Sequence, residues 1–161
     1  MLDKKVKDLI NAQINKELYS SYLYLDFANY YEDQGLSGFA HWYDIQAREE
    51  VEHAMKLRTY LFDNGERVVF EAIAKPDKEL ANVEEGLQAA LAHERYISAS
   101  INEIYEAASE IKDYKTVEYL NWFVREQVEE EKNAEDLLKK YQLFGKECRG
   151  LYALDKDMAA R

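Results

Sequence analysis

The chain has 161 residues, 47% of them hydrophobic and 33% charged, and its 32 acidic and 21 basic residues give a formal net charge of −11. That charge repels nucleic acid and acidic membrane surfaces, and no stretch reaches the ~20 apolar residues of a membrane span, so neither is an expected partner. The lone Cys148 excludes a thiolate metal cluster, and with a polar N-terminus that offers no signal segment it indicates a cytoplasmic protein.

Five helices are expected in chain order, forming one domain over residues 1–161. Apolar and aromatic residues at three- and four-residue steps predict four long helices, and a short amphipathic tail predicts a fifth. Gly35, Gly65 and Gly145 interrupt the pattern after the first, second and fourth helices, and Asn82 is a typical N-cap for the third. The predicted helices cover residues 3–33, 38–64, 83–112, 114–144 and 151–160.

The segment between the second and third helices, residues 65–82, has no helical periodicity and contains the only proline, Pro76. Extended at ~3.3 Å per residue, this segment can span the length of a bundle of helices about 45 Å long. Such a crossover leaves the second and third helices parallel, whereas a compact loop makes them antiparallel. Both connections fit the chain length, so the sequence leaves the topology open at this point.

Two halves of the chain repeat one pattern. In each half a Glu is followed, 33 positions later, by a four-residue motif whose first and last residues are polar. The first set is Glu17, Glu50 and His53, and the second, displaced by 77 positions, is Glu94, Gln127 and Glu130. The midpoint between Glu17 and Glu50, and that between Glu94 and Gln127, each fall at or beside a predicted break between two helices. Residues equidistant from a tight turn have the same height in an antiparallel pair, so we expect one polar layer near the middle of the bundle.

The six positions fall where the helical pattern calls for apolar residues, as Glu17 does between Ile14 and Tyr24. Carboxylates are almost never buried without a partner, and no Lys or Arg lies on these stripes to neutralise them. Divalent cations would neutralise them. A carboxylate-rich set with one imidazole favours iron or manganese over copper or structural zinc, and a Glu able to bridge two ions predicts a dinuclear site.

Four further residues are weaker candidates. Helical spacing brings Glu49, Glu126 and Glu129 together as an outer cation site, although each alone is typical of a surface acid. Tyr24 lies seven residues after Glu17 on the same face, where it can hydrogen-bond a ligand or donate an electron. Ordinary core packing is the alternative for this tyrosine.

Four sequence blocks around these positions resemble non-haem ferritins of the bacterial and archaeal type, and the resemblance covers essentially the whole chain. The blocks are ELYSSYLY at 17–24, GLSGFAHW at 35–42, EEVEHA at 49–54 and FVREQVEEE at 123–131. The resemblance implies an all-α, ferritin-like four-helix bundle with a long crossover between helices 2 and 3 and a short fifth C-terminal helix. It also implies a homo-oligomer, a hollow cage of twenty-four subunits.

The same resemblance implies ferroxidase activity, in which two Fe(II) are oxidised by dioxygen or hydrogen peroxide and the Fe(III) is stored as mineral. It assigns the first iron to Glu17, Glu50 and His53, and the second to Glu50, Glu94 and Glu130. It places Gln127 beside the second iron and Tyr24 next to the ligands. It adds a third iron site to which three outer acids contribute, namely Glu49, Glu126 and Glu129.

The chain differs from related families at positions that distinguish those families. Bacterioferritins carry a second Glu-x-x-His and a haem-ligating Met after the first motif's Glu, whereas this chain has Gln127, Glu130 and Val51 at those places, so no haem is expected. Rubrerythrins add paired Cys-x-x-Cys motifs, which one cysteine excludes. Two other functional classes stay open: a soluble di-iron or dimanganese oxidase or peroxidase that stores no iron, and a non-catalytic helical interaction protein.

Overall fold

The computed structural model describes every residue from Met1 to Arg161 and contains helices and no strand. The helices are α1 (Lys4–Asp33), α2 (Ser37–Asp63), α3 (Val83–Glu110), α4 (Tyr114–Lys140) and α5 (Cys148–Ala159). A π-helical turn, Tyr141–Gly145, follows α4 directly. None of the helices is both long enough and apolar enough to cross a membrane.

The helix ends differ from the predicted bounds by a few residues, each for a local reason. α3 ends at Glu110, two residues early, because Lys112 takes a left-handed φ of 60°. α4 ends at Lys140 because the next five residues widen into the π-helical turn. α5 begins at Cys148, three residues early, and its first two residues are exposed, so they add nothing to an apolar pattern.

Contacts between helix ends decide the topology that the chain length leaves open. The backbone N–H of Leu2, before α1, donates to Glu66 Oε1, just after α2, at 2.8 Å. At the other end of α1, the Tyr31 hydroxyl donates to the carbonyl oxygen of Val83, the first residue of α3, at 3.0 Å. α2 and α3 therefore both run antiparallel to α1, and they are parallel to each other. The connection between them is the long crossover that the resemblance implies.

The crossover, residues 64–82, is held along the outside of α1 by asparagine side chains. Asn11 donates through Nδ2 to Val69 O at 2.8 Å and accepts from Val69 N at 2.9 Å, so it pairs both backbone groups of that residue. One turn further along α1, Asn15 Nδ2 lies 3.3 Å from the carbonyl oxygens of both Glu71 and Ala72. These bonds replace the backbone partners that an isolated extended segment lacks.

The hydrophobic core is divided into two clusters of 14 buried residues each. One cluster surrounds the first half of α1, with Ile10 and Ile14 packed among residues such as Leu57. The other surrounds the second half of α1, with Phe27 packed among residues such as Phe39. All four long helices contribute to both clusters, and the polar layer lies between them.

α5 packs on the beginning of α2. Its Leu154 and Met158 are buried in the second cluster, and Asp155 Oδ1 accepts from the backbone N–H of Phe39 at 3.0 Å, which caps the first turn of α2. Gly38 permits the close approach, since a Cβ there would lie 1.8 Å from the carbonyl oxygen of Asp155. The C-terminal helix therefore has a fixed position at this end of the bundle.

Candidate metal centre

The polar layer contains the six residues of the repeated sequence pattern. Glu17 comes from α1, two residues come from α2, Glu94 comes from α3, and two come from α4. All six side chains are buried, none with more than 7% of its surface exposed. Each interrupts an apolar stripe that continues above and below it, so folding the two clusters forces the layer out of water.

One group of donor atoms joins α1 and α2. Ligand atoms of Glu17, Glu50 and His53 all lie within 4.8 Å of one another, and His53 Nδ1 lies 3.2 Å from Glu50 Oε2. Glu17 Oε2 is buried and has no hydrogen-bond partner. A buried carboxylate oxygen without a partner is costly, and a cation between these three side chains would satisfy it.

A second group joins α2 and α4. It consists of His53, Glu126 and Glu130, whose ligand atoms also lie within 4.8 Å of one another. Glu94 is in neither group, because its carboxylate accepts hydrogen bonds from the Tyr24 hydroxyl and from Gln127 Nε2, the latter at 3.1 Å. Its charge nevertheless raises the pKa of both Glu50 and Glu130, so it faces the same space.

Burial dominates the electrostatics of the layer. It raises the pKa of Glu17 and Glu50 well above the usual range, and neighbouring carboxylates raise both further. Burial also raises the pKa of Glu94, and with the charge of Glu94 it raises the pKa of Glu130 to about 8. No Lys or Arg pairs with any of these carboxylates, so their raised pKa values favour the protonated, uncharged form.

Tyr24 is placed to donate a hydrogen bond to a ligand candidate. Its ring is 1% exposed and its hydroxyl donates to Glu94. Burial, followed by the charge of Glu94, raises the pKa of Tyr24 well above its ordinary value, so the phenol keeps its proton and remains a donor. Its ring also packs against Phe27 and Tyr43, so this side chain contacts the core and the layer together.

Two buried glutamines that the sequence interpretation missed hold the carboxylates. Gln13 Nε2 donates to Glu17 Oε1 at 2.9 Å, and Gln46 Nε2 donates to Glu130 Oε2 at 2.7 Å and to Glu50 Oε1 at 3.3 Å. A signal was present, because each glutamine precedes a ligand candidate by four residues and the two are separated by the same 33 positions. Uncharged glutamine is common on helix surfaces, so that signal is weak.

Gln13 is itself held by α3. Ser100 Oγ donates to Gln13 Oε1 at 2.6 Å, and Lys16 Nζ donates to Ser100 Oγ at 2.5 Å. Because the amide oxygen of Gln13 accepts from Ser100, its NH₂ group is left to face Glu17. The chain of hydrogen bonds therefore fixes one oxygen of Glu17 and leaves the other, Oε2, without a hydrogen-bond partner.

The three outer acids do not form one cluster. Glu49 Oε2 pairs with the guanidinium of Arg161 at 2.6 Å, and Glu126 Oε1 lies 3.6 Å from His53 Nε2. Glu129 is exposed and makes no side-chain hydrogen bond or ion pair. Glu126 thus belongs with the second group of donors, while Glu49 is bound to the C-terminal residue.

The donor set fits a hard or borderline divalent cation. It supplies several carboxylate oxygens and one imidazole, together with an orphaned oxygen at Glu17 and a layer whose ionised form carries excess negative charge. The cavity beside Glu94 and Glu130 measures about 20 Å³, which is room for about one water-sized molecule. A larger groove of about 610 Å³ between α2 and α4 contains none of the ligand candidates.

Fold and site together define a class of protein: helical bundles whose metal ligands project inward from facing helices. Comparison with known proteins gives a narrower assignment. Residues 7–144 match the model of the family described as the ferritin-like domain. The chain belongs to the ferritin family, as its relatives also show.

Several relatives match over nearly their whole length. A probable bacterial non-heme ferritin-like protein of Haemophilus influenzae is 39% identical over 158 residues, covering 98% of this chain and 96% of its own. A bacterial non-heme ferritin of Staphylococcus epidermidis is 36% identical, covering 100% and 97%. The open pore ferritin of the hyperthermophilic archaeon Archaeoglobus fulgidus superposes with a TM-score of 0.97 at 38% identity, covering 100% of this chain and 99% of that one.

Proposed function

We propose that the chain is a subunit of an iron-storage protein with ferroxidase activity. It oxidises Fe(II) at a dinuclear centre within each subunit and stores the Fe(III) as mineral inside a homo-oligomeric cage of twenty-four copies in the cytoplasm. The observation that carries this proposal is the buried layer of Glu17, Glu50, Glu94 and Glu130, one carboxylate from each helix and no cationic side chain among them. Membership of the ferritin family supports it.

Fe(II) is the substrate of this site. Glu17, Glu50 and His53 would bind the first ion, and Glu50, Glu94 and Glu130 would bind the second, with Gln127 beside it. The mutual proximity of the first three donors supports the first assignment. The effect of the Glu94 charge on the pKa of Glu50 and Glu130 supports the second, because only close carboxylates interact in this way.

Pairing two Fe(II) ions suits the chemistry of the acceptor. Each Fe(II) loses one electron. Dioxygen takes up both electrons and two protons from solvent to give hydrogen peroxide, or hydrogen peroxide takes up both and two protons to give two waters, which avoids one-electron radical products. Carboxyl groups of the layer that are protonated without metal would release those protons as the metal binds. Tyr24 keeps its proton and holds Glu94 in place.

Storage requires that Fe(III) leaves the centre. The outer acids Glu49, Glu126 and Glu129 would contribute to a third iron site on that path. The position of Glu126 next to His53 supports its contribution to that third site. The ion pair of Glu49 with Arg161 would have to open before Glu49 could bind iron. We expect no haem, since the chain has Val51 where the haem-ligating Met of bacterioferritins would stand.

An oxidase that acts on an organic substrate and keeps its metals is the main alternative. Such an enzyme needs a chamber for the substrate next to the ligands. The cavity of about 20 Å³ beside Glu94 and Glu130 does not provide one, and the groove of about 610 Å³ does not reach them. The proposed storage function needs only Fe(II) and a small oxidant at the centre.

Replacement of single ligands tests the proposed centre. The variants Glu50→Ala and His53→Ala should slow aerobic Fe(II) oxidation by more than about tenfold, since even residues that only support ligands contribute that much to metal sites. The rate is measured by the absorbance of the ferric product, and circular dichroism checks the helices. Glu52→Ala, which removes an exposed acid next to His53, is the matched control. Oxidation at the wild-type rate in Glu50→Ala and His53→Ala would refute the centre.

A further inference from the structure

We propose that Arg161 is a positioning residue for the metal centre, acting through Gln46, which in turn holds Glu130 and Glu50. This inference rests on the proposed function, because it gives a role to residues around the same centre. It connects the C-terminal helix to the ligands by a short series of hydrogen bonds. Arg161 and Glu130 are separated by Gln46 alone.

The side chain of Arg161 packs against one face of α2. Its guanidinium stacks 4.2 Å from the ring centroid of Trp42, donates to Gln46 Oε1 at 3.0 Å and donates to Glu49 Oε2 at 2.6 Å. These three residues of α2 follow one another at steps of four and three, so they form a single stripe. The backbone is held as well, since the carbonyl oxygen of Arg161 lies 3.3 Å from His41 Nε2.

The guanidinium determines which way the amide of Gln46 points. Arginine offers only donors, so the group that faces it must be the amide oxygen of Gln46. The NH₂ group of the same amide is then directed at Glu130 Oε2 and Glu50 Oε1. The opposite orientation would place NH₂ against the guanidinium and an oxygen against two carboxylates. Arg161 and the two carboxylates therefore favour the same orientation, in which Gln46 donates to the ligands.

A fixed donor on one carboxylate oxygen leaves the other oxygen aligned for the metal. Residues that hold ligands in this way contribute to metal affinity although they never touch the metal. Gln46 is 5% exposed, so water does not supply the missing hydrogen bond readily if the amide turns. Without Arg161, the amide oxygen of Gln46 loses its hydrogen-bond partner, and only the ligands themselves are left to orient the amide.

The position of Arg161 follows from the docking of α5. Met158 and Leu154 anchor the helix in the core, and Asp155 caps the first turn of α2. Three residues beyond Met158, Arg161 reaches the stripe on α2 that leads to the layer. The C-terminal helix thus contributes to the metal centre through one side chain.

Binding of Co(II) to the apo-protein tests this role without any oxidation step. Arg161→Met keeps the apolar stem over Trp42 and removes the donors, so it should weaken the site that includes Glu130 about tenfold and change the visible absorption of the bound Co(II). Arg161→Lys, whose ammonium can still donate to Gln46, should restore most of the affinity. Arg149→Ala, on the exposed start of α5, is the matched charge control and should bind as the wild type does.

A double-mutant cycle decides whether the effect passes through Gln46. Gln46→Leu alone should weaken the same site, and adding Arg161→Met to it should cause no further loss. An equal loss from Arg161→Met in both backgrounds, or no loss in either, overturns the inference while two bound Co(II) per wild-type chain leave the dinuclear centre standing. Failure of the wild-type protein to bind Co(II) overturns the centre itself and this inference with it.

Discussion

Four buried glutamates at the centre of the bundle are the proposed metal ligands, and they also cost the apo-protein stability when ionised. Glu17, Glu50, Glu94 and Glu130 lie in one layer without Lys or Arg, and burial raises the pKa of each. Hydrogen bonds from Gln13, Gln46, Gln127 and Tyr24 lower the cost of ionisation only in part. A bound cation would remove the rest of that cost, which is why we propose these residues as metal ligands.

The stability of the apo-protein should fall as the pH rises. Glu130 has a pKa of about 8 in the folded chain against an ordinary value of 4.5. Between those values the folded state holds a proton that the unfolded state has lost, so its stabilising effect is complete below the lower value and is lost through the upper one. Thermal unfolding of metal-free protein should therefore give a lower midpoint near pH 8 than near pH 6.

Glu130→Gln isolates this contribution. The amide stays neutral at every pH, so the variant should show a smaller difference between the two unfolding midpoints than the wild type does. Glu103→Gln, an exposed acid on α3, is the matched control and should keep the wild-type difference. The same pH dependence in Glu130→Gln and wild type would contradict the buried, protonated state of Glu130.

The sequence predicts the helices well, but it does not predict the route of the segment that joins α2 to α3. The periodicity of apolar residues fixes four long helices, and buried acids that break it at equal spacing predict the layer. The route of the crossover depends on Asn11 and Asn15, half-buried residues that in a sequence look like any polar residues of a helix surface. Arg161 and Gln46 are 115 positions apart in the chain, so no local sequence pattern predicts their contact.

Docking of α5 depends on the absence of a side chain at Gly38. Gly38→Ala would put a Cβ 1.8 Å from the carbonyl oxygen of Asp155, so α5 must move away from α2. We expect a loss of about 1–3 kcal/mol in the free energy of unfolding, measured in urea. Ser37→Ala, at the exposed first residue of α2, is the control and should have little effect. Equal stability of Gly38→Ala and wild type would contradict the close packing.

Asn11 secures the crossover against α1. Asn11→Ala removes both hydrogen bonds to Val69 at an exposed site, so global stability should fall by only about 1 kcal/mol. Cleavage within residues 65–82 during limited proteolysis should become faster, as mass spectrometry of the fragments can show. Asn102→Ala, on the exposed surface of α3, provides the control. Unchanged cleavage in Asn11→Ala would mean that other contacts hold the segment.

In the whole molecule, two antiparallel helix pairs joined by a long crossover enclose one layer of ligand candidates. The chain carries a formal net charge of −11, which concentrates cations around it. Family resemblance covers the entire length and supplies what periodicity does not, namely the crossover and the function. The partners of the six ligand candidates could not be predicted, because Gln13 and Gln46 are uncharged residues whose burial only the folded chain reveals.

Aerobic loading of the apo-protein with a large excess of Fe(II) tests storage most directly. The protein is separated by size after loading, and the iron in the protein peak is counted. We expect a large soluble assembly that carries far more iron than the ligands of its chains can hold. A small species that retains only two or three irons per chain would contradict storage and favour an oxidase that keeps its metals.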